Sequence, residues 1–118
     1  MLSKTNKAYV AFERSTALDG DLLDAATAVM ACYWSYCYMG EYMSTRIADD
    51  VDPLYRSLYE KFTDADYVAN NQRMKDLIDS LSENMPEERL AKAVQVVKTG
   101  SEFELAFWNM SWTMNPED

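Results

Sequence analysis

Histidine is absent from this 118-residue chain, cysteine occurs twice, and glycine and proline three times each. Without imidazole, and with Cys32 and Cys37 as the only thiols, no nitrogen and sulfur ligand set of the kind zinc needs can be assembled, and the usual proximal ligand of haem is missing. No metal and no cofactor are expected. Their spacing sets the two cysteines roughly 140° apart on a helix, ill placed to pair with each other. They read as free thiols in a reducing compartment, so the cytoplasm is the expected location. Positive charge is also scarce, with 11 basic against 20 acidic residues and a formal net charge of −9. No run of Lys and Arg could neutralise a phosphate backbone, which excludes nucleic acid as a partner.

Long hydrophobic runs are missing too. The amino terminus, Met1 to Lys7, has no apolar core of the secretory kind. The most apolar stretch, residues 25–39, contains Thr27 and Ser35 and is shorter than the roughly 20 residues that cross a bilayer. No membrane segment is expected, and this stretch reads as a buried central helix.

Hydrophobic residues make up 48% of the chain, with eight Met and eight Tyr. That is enough for one domain over residues 1–118 with its own core, and few turn formers favour long helices. The fold class predicted is all-α, a bundle of about five antiparallel helices. The first runs from about Ser3 to Leu18 and ends at Asp19-Gly20, where glycine can take the left-handed conformation. Asp21 caps a second helix reaching about Ile47, apolar on almost every side and so central. Asp52-Pro53 opens a short helix to about Phe62. Thr63 with Asp66 resembles a capping box for a fourth helix to about Leu81. Pro86-Glu87-Glu88 begins the last and longest, towards Met114. Neither an internal repeat nor an interdomain linker interrupts the series.

Two positions carry possible chemistry. In the last helix Leu90, Val94, Val97, Ser101, Glu104, Trp108 and Trp112 share one face, so Glu104 sits on an apolar stripe without a basic residue one turn away. A carboxylate at the edge of such a stripe commonly reaches water or a partner, whereas one held inside it is desolvated and suited to moving protons. On the central helix Cys32 and Tyr36, one turn apart, point the same way. A free cysteine is most often an inert core residue, and Tyr33, Trp34, Tyr38 and Tyr42 around it are more often packing groups than a ligand cage. Taken one at a time, these residues leave both readings open.

In combination they bring a family to view. Ala31-Cys32-Tyr33-Trp34-Ser35-Tyr36, followed by Met39-Gly40-Glu41, resembles the "P-C-x-x-x-Y…G" helix of TenA (thiaminase II) proteins. Pro53-Leu54-Tyr55 through Phe62 resembles their "H-P-x-Y…W-I…Y" segment. Phe103-Glu104-Leu105-Ala106-Phe107-Trp108-Asn109-Met110 resembles "Y-E-x-x-F-W-D-M", and Lys7-Ala8-Tyr9 the "A-Y" that opens a family helix. All four occur in the family's order and cover nearly all of this chain, but only the carboxy-terminal half of the family's usual length. The resemblance implies a haem-oxygenase-like helical fold without haem, incomplete relative to the family. It implies that Cys32 matches the nucleophile and Glu104 the acid/base, and that Tyr9, Tyr36 and Phe62 match substrate-binding positions. It also implies an aminopyrimidine or thiamin-like ligand, handled by hydrolysis. Departures from the pattern are Ala31 for proline, Asp52 for histidine, Asn109 for aspartate and Phe62 for a pocket tyrosine. The family's amino-terminal helices, which supply an aspartate for the pyrimidine, have no counterpart. Self-association or a second chain is therefore expected to complete the site. A non-catalytic module that binds a small ligand or another protein is the competing reading, and a truncated product with no function of its own a third.

Overall fold

The computed structural model describes residues 2–115. Its elements are α1 (Lys4–Asp19), α2 (Leu22–Ser44), α3 (Pro53–Thr63), α4 (Ala65–Ser82) and α5 (Glu87–Thr113), and no strand occurs among the described residues. None of the helices is long and apolar enough to cross a membrane. The starts follow local capping chemistry. Asp21 and Asp24 form a reciprocal box in which each carboxylate accepts the other's backbone N–H at 3.1 Å, satisfying two donors that a helix start leaves unpaired. Asp52 accepts from the Leu54 N–H at 2.8 Å, with Pro53 in the first turn. At α4 the cap is Asp64, accepting from Asp66 N–H, rather than Thr63. A carboxylate one residue later makes the shorter reach, and Thr63 is left to end α3.

Gly20 ends α1 in extended backbone (φ −114°, ψ −163°), not the left-handed conformation expected from the sequence. Its lack of a side chain serves a close approach instead. The Asp24 carboxylate, folded back onto the Asp21 N–H, occupies the space a Cβ at position 20 would need.

α2 is central, packing against each of the other four helices. Its direction relative to α5 departs from a wholly antiparallel bundle. Asp24 meets Arg89 at 3.0 Å, Ala31 lies against Gly100, and Tyr36 lies against Trp108, so both helices run the same way. The excursion through α3 and α4 returns the chain to the starting end of α2, which makes this parallel pairing possible. α1 does run antiparallel to α5, since Ser3 meets Met110, Tyr9 meets Glu104 and Phe12 approaches Gly100, with Tyr9 and Phe12 both on the Phe103 ring at 5.3 and 5.2 Å.

Small residues let α2 and α5 approach. A Cβ on Gly100 would stand 3.1 Å from that of Ala31, and the buried apolar set is Leu23, Ala26, Ala28, Met30, Ala31 and Ala93. Such a core is thin, because alanine buries little apolar surface. The apolar stripe read on α5 is accordingly buried only in part. Ala93, Gly100 and Glu104 face inward, while Val94 and Trp112 are 53% and 89% exposed. The second half of α2 is likewise open on one side, with Trp34 and Tyr38 exposed.

Candidate active site

Three helices converge on one cavity of about 220 Å³, lined by Asn6, Tyr9, Val10 and Glu13 of α1, Cys32 and Tyr36 of α2, and Glu104 and Phe107 of α5. Each set follows helical spacing, so one face of each helix is presented. The volume suits one substituted aromatic ring and lies below the roughly 300–1,000 Å³ of pockets that enclose drug-sized ligands.

Glu104 is 6% exposed, and its Oε1 accepts a hydrogen bond from the Tyr9 hydroxyl at 2.7 Å. The desolvation of a carboxylate on an apolar stripe is thus met by a partner 95 residues away rather than one turn along. A charge-assisted bond of this length is worth about 1.5–3 kcal/mol. The Tyr9 ring is fixed in turn by stacking on Phe103, the residue before the acid. Oε2 has no donor at hydrogen-bond geometry. The Cys32 thiol is the group on hand, close enough that Glu104 acts on it through charge and as a weak hydrogen-bond partner.

Electrostatics keep that thiol protonated. Burial first, and the Glu104 carboxylate second, push Cys32 up to about 11. Burial and then the same carboxylate push Tyr36 up to about 12. Tyr9 is raised further still by burial and by donating its proton to Glu104. The resting arrangement is therefore a thiol beside a carboxylate. A nucleophile of this kind becomes reactive only if its proton leaves as the bond forms, and Glu104 is placed to accept it.

Of the residues singled out by sequence, Cys32, Glu104, Tyr9 and Tyr36 share the cavity. Phe62 does not line it. Its ring packs on Tyr36 at 4.9 Å, and its backbone closes over Gly40, so it supports Tyr36 from behind. Glu13, Asn6 and Phe107 line the cavity and were not singled out, although Glu13 and Asn6 stand four after and three before Tyr9, and Phe107 three after Glu104. Cys37 remains a free thiol outside the cavity. Among the described residues no three His, Cys, Asp or Glu side chains cluster as metal ligands would. A separate groove of about 290 Å³ between Trp34, Tyr38, Val97 and Ser101 contains neither thiol nor carboxylate.

An all-helical bundle holding a buried carboxylate against a thiol defines the class, and comparison with known proteins supplies the family. Residues 1–114 match the TENA/THI-4/PQQC family, and the chain belongs to it. It is 25% identical over 108 residues to the aminopyrimidine aminohydrolase of Helicobacter pylori, covering 91% of this chain and 49% of that protein. With the aminopyrimidine aminohydrolase of Bacillus subtilis (strain 168) it shares 26% identity over 110 residues, covering 93% and 46%. The solved structure of a TenA homologue protein from P. horikoshii OT3 superposes with a TM-score of 0.87 at 30% identity, covering 96% of this chain and 51% of that one. The chain spans about half the length of the relatives it matches.

Proposed function

We propose that this chain carries the nucleophile and acid/base of a thiaminase II-like aminopyrimidine hydrolase, with Cys32 and Glu104 as catalytic residues, Tyr9 and Tyr36 contacting substrate, and Phe62 backing Tyr36. The observation that carries this reading is the Tyr9–Glu104 hydrogen bond of 2.7 Å in the cavity that also exposes Cys32. In the proposed reaction the Cys32 sulfur adds to the electron-poor ring as its proton passes to Glu104. Glu104 passes that proton to a ring nitrogen as the C–S bond forms, which lets the ring accept the sulfur's electron pair. The amine on the exocyclic methylene leaves, water takes its place, and expulsion of the thiol restores the ring. Net change is water in and ammonia out, without metal or cofactor. Two free thiols suit a reducing compartment such as the cytoplasm.

A second chain, or a second copy of this one, is proposed to complete the site. The described helices form a slab with extents of 51 × 36 × 18 Å and a radius of gyration of 16.1 Å. A compact domain of this length has a radius near 13.5 Å. Its accessible surface is 8347 Å², whereas a compact monomer of this mass exposes about 6,600 Å². The excess is about twice the ~800 Å² that each partner buries in an ordinary interface. Val94, Leu105 and Trp112 on α5, with Trp34 and Tyr38 on α2, form the open apolar face.

The test is hydrolysis of 4-amino-5-aminomethyl-2-methylpyrimidine by the purified chain beside Cys32→Ala and Glu104→Gln, with mass measured in solution. Activity abolished in both variants supports the reading. A folded chain that is inactive as monomer and as oligomer, and inactive with a complementing chain, overturns it. The same open face favours the alternative of a non-catalytic binding module, which predicts protection of Cys32 by the pyrimidine without turnover.

A further inference from the structure

The cavity holds a second carboxylate that the proposed reaction does not use. Glu13 lies one turn after Tyr9 on α1 and lines the same cavity as Glu104. Among the described residues it makes no ion pair, and no Lys or Arg belongs to the lining. Glu104 is nine-tenths buried, and beside its second oxygen stands only the weakly donating Cys32 thiol. Two acids facing one small space, with no cation between them, repel each other and lose hydration, unless a ligand brings positive charge. Resting on the proposed function, we infer that Glu13 makes this cavity selective for a small organic cation, an aromatic ring bearing a protonated amine arm, by setting its carboxylate against that ammonium.

Other features fit this assignment. Burial first, and Glu104 second, push the Glu13 carboxyl up, as expected of an acid awaiting a counter-ion. Tyr9, Tyr36 and Cys32 are neutral at pH 7, so no facing group cancels the two carboxylates. An anionic ligand is disfavoured by both. A neutral alcohol of the same shape can donate a hydrogen bond to Glu13 but gains no charge attraction from it, so the residue favours an amine-bearing substrate over its hydroxyl product and favours release of the product after hydrolysis.

The test uses Cys32 as a reporter inside the full chain, with Cys37→Ser so that one thiol reacts. Rates are measured for 2-aminoethyl methanethiosulfonate, a cation, and methyl methanethiosulfonate, which is neutral. Each forms a mixed disulfide with Cys32 and expels methanesulfinate. Replacing Glu13 by Gln also changes the thiolate fraction, but that affects both reagents equally and cancels in their ratio. The cation-to-neutral ratio should exceed that of free cysteine, and Glu13→Gln should lower it on the order of fivefold, the effect of one partly screened charge across a small cavity. A ratio unchanged by Glu13→Gln overturns the inference. Protection of Cys32 by 4-amino-5-aminomethyl-2-methylpyrimidine and by its 5-hydroxymethyl counterpart is measured alongside. Stronger protection by the amine, lost in Glu13→Gln, supports the inference. If neither pyrimidine protects while the ratio behaves as expected, the proposed function fails and the preference for a cation stands.

Discussion

Replacing Glu104 by Gln should make Cys32 more reactive towards a simple alkylating agent, even as it abolishes any hydrolysis. The amide keeps the shape of the acid and can still accept from the Tyr9 hydroxyl, so the 2.7 Å bond is retained in weaker form while the negative charge is removed. A full charge within hydrogen-bond reach is worth roughly 4 kcal/mol at an effective dielectric of 20. Cys32 is half-buried, and solvent screening reduces that to about 1.4 kcal/mol, or one unit in the thiol pKa. Burial is the larger cause of the raised thiol pKa, so the variant should still titrate above an ordinary cysteine. In a Cys37→Ser background, iodoacetamide rates between pH 7 and 11 should give a midpoint near 11 for Cys32 beside Glu104, and about one pH unit lower beside Gln. At pH 8 alkylation should be about tenfold faster. An unchanged or raised midpoint, in a variant with unaltered helical circular dichroism, would mean that Glu104 does not act on the thiol. The proton transfer proposed between them would then have no physical basis.

Other outcomes concern the frame around the site. Asp24 is 3% exposed and is held by Arg89 at 3.0 Å, with Lys92 at 3.6 Å. Arg89→Ala leaves a buried carboxylate poorly matched and should cost about 3 kcal/mol, lowering the melting temperature by roughly 10 °C. In Gly40→Ala the new Cβ would meet Phe62 Cβ at 2.9 Å and its backbone carbon at 3.1 Å, so α3 must move. After about 1 kcal/mol of gained helix propensity, a net loss of about 1–2 kcal/mol should appear in urea unfolding. Alkali should also unfold the protein. Cys32 and Tyr36 hold their protons more tightly when folded, at about 11 and 12 against ordinary values of 9.0 and 10.0. Their contribution is complete below pH 9 and disappears as pH rises through those raised values. Cys32→Ser should remove part of that slope, which urea midpoints at pH 8 and 11 would reveal.

Much of the helix pattern was legible because it depends on short-range chemistry. Asp21, Asp52-Pro53 and Pro86-Glu87-Glu88 mark starts that depend on nearest neighbours alone. Gly20 was misread because its reason is a tertiary one, the Asp24 carboxylate folded over it. The inward side of α5 was only partly legible, through Glu104, because periodicity weighs large apolar residues, whereas the contact with α2 is built on Ala93 and Gly100. Such residues are selected for close approach, and a hydrophobic count ranks them low. Along the stripe from Val94 to Trp112, Val94, Trp108 and Trp112 are exposed while Glu104 is buried.

That division explains how a chain spanning half the length of its relatives can hold a thiol against a buried carboxylate. Everything that positions Glu104 against Cys32 comes from α1, α2 and α5. The Tyr9 hydroxyl fixes the carboxylate, Phe103 fixes the Tyr9 ring, and Gly100 against Ala31 sets the spacing of the helices that carry the pair. The open face uses other sides of α2 and α5, where Trp34, Tyr38, Val97 and Ser101 line a groove without the cavity's residues. A partner on that face can therefore stabilise the bundle without displacing any group in the cavity. A partner that only covers this face should raise the unfolding midpoint and leave the Cys32 titration where it is, whereas the partner proposed to complete the site must also extend to the cavity and should shift the Cys32 midpoint by bringing charge to it.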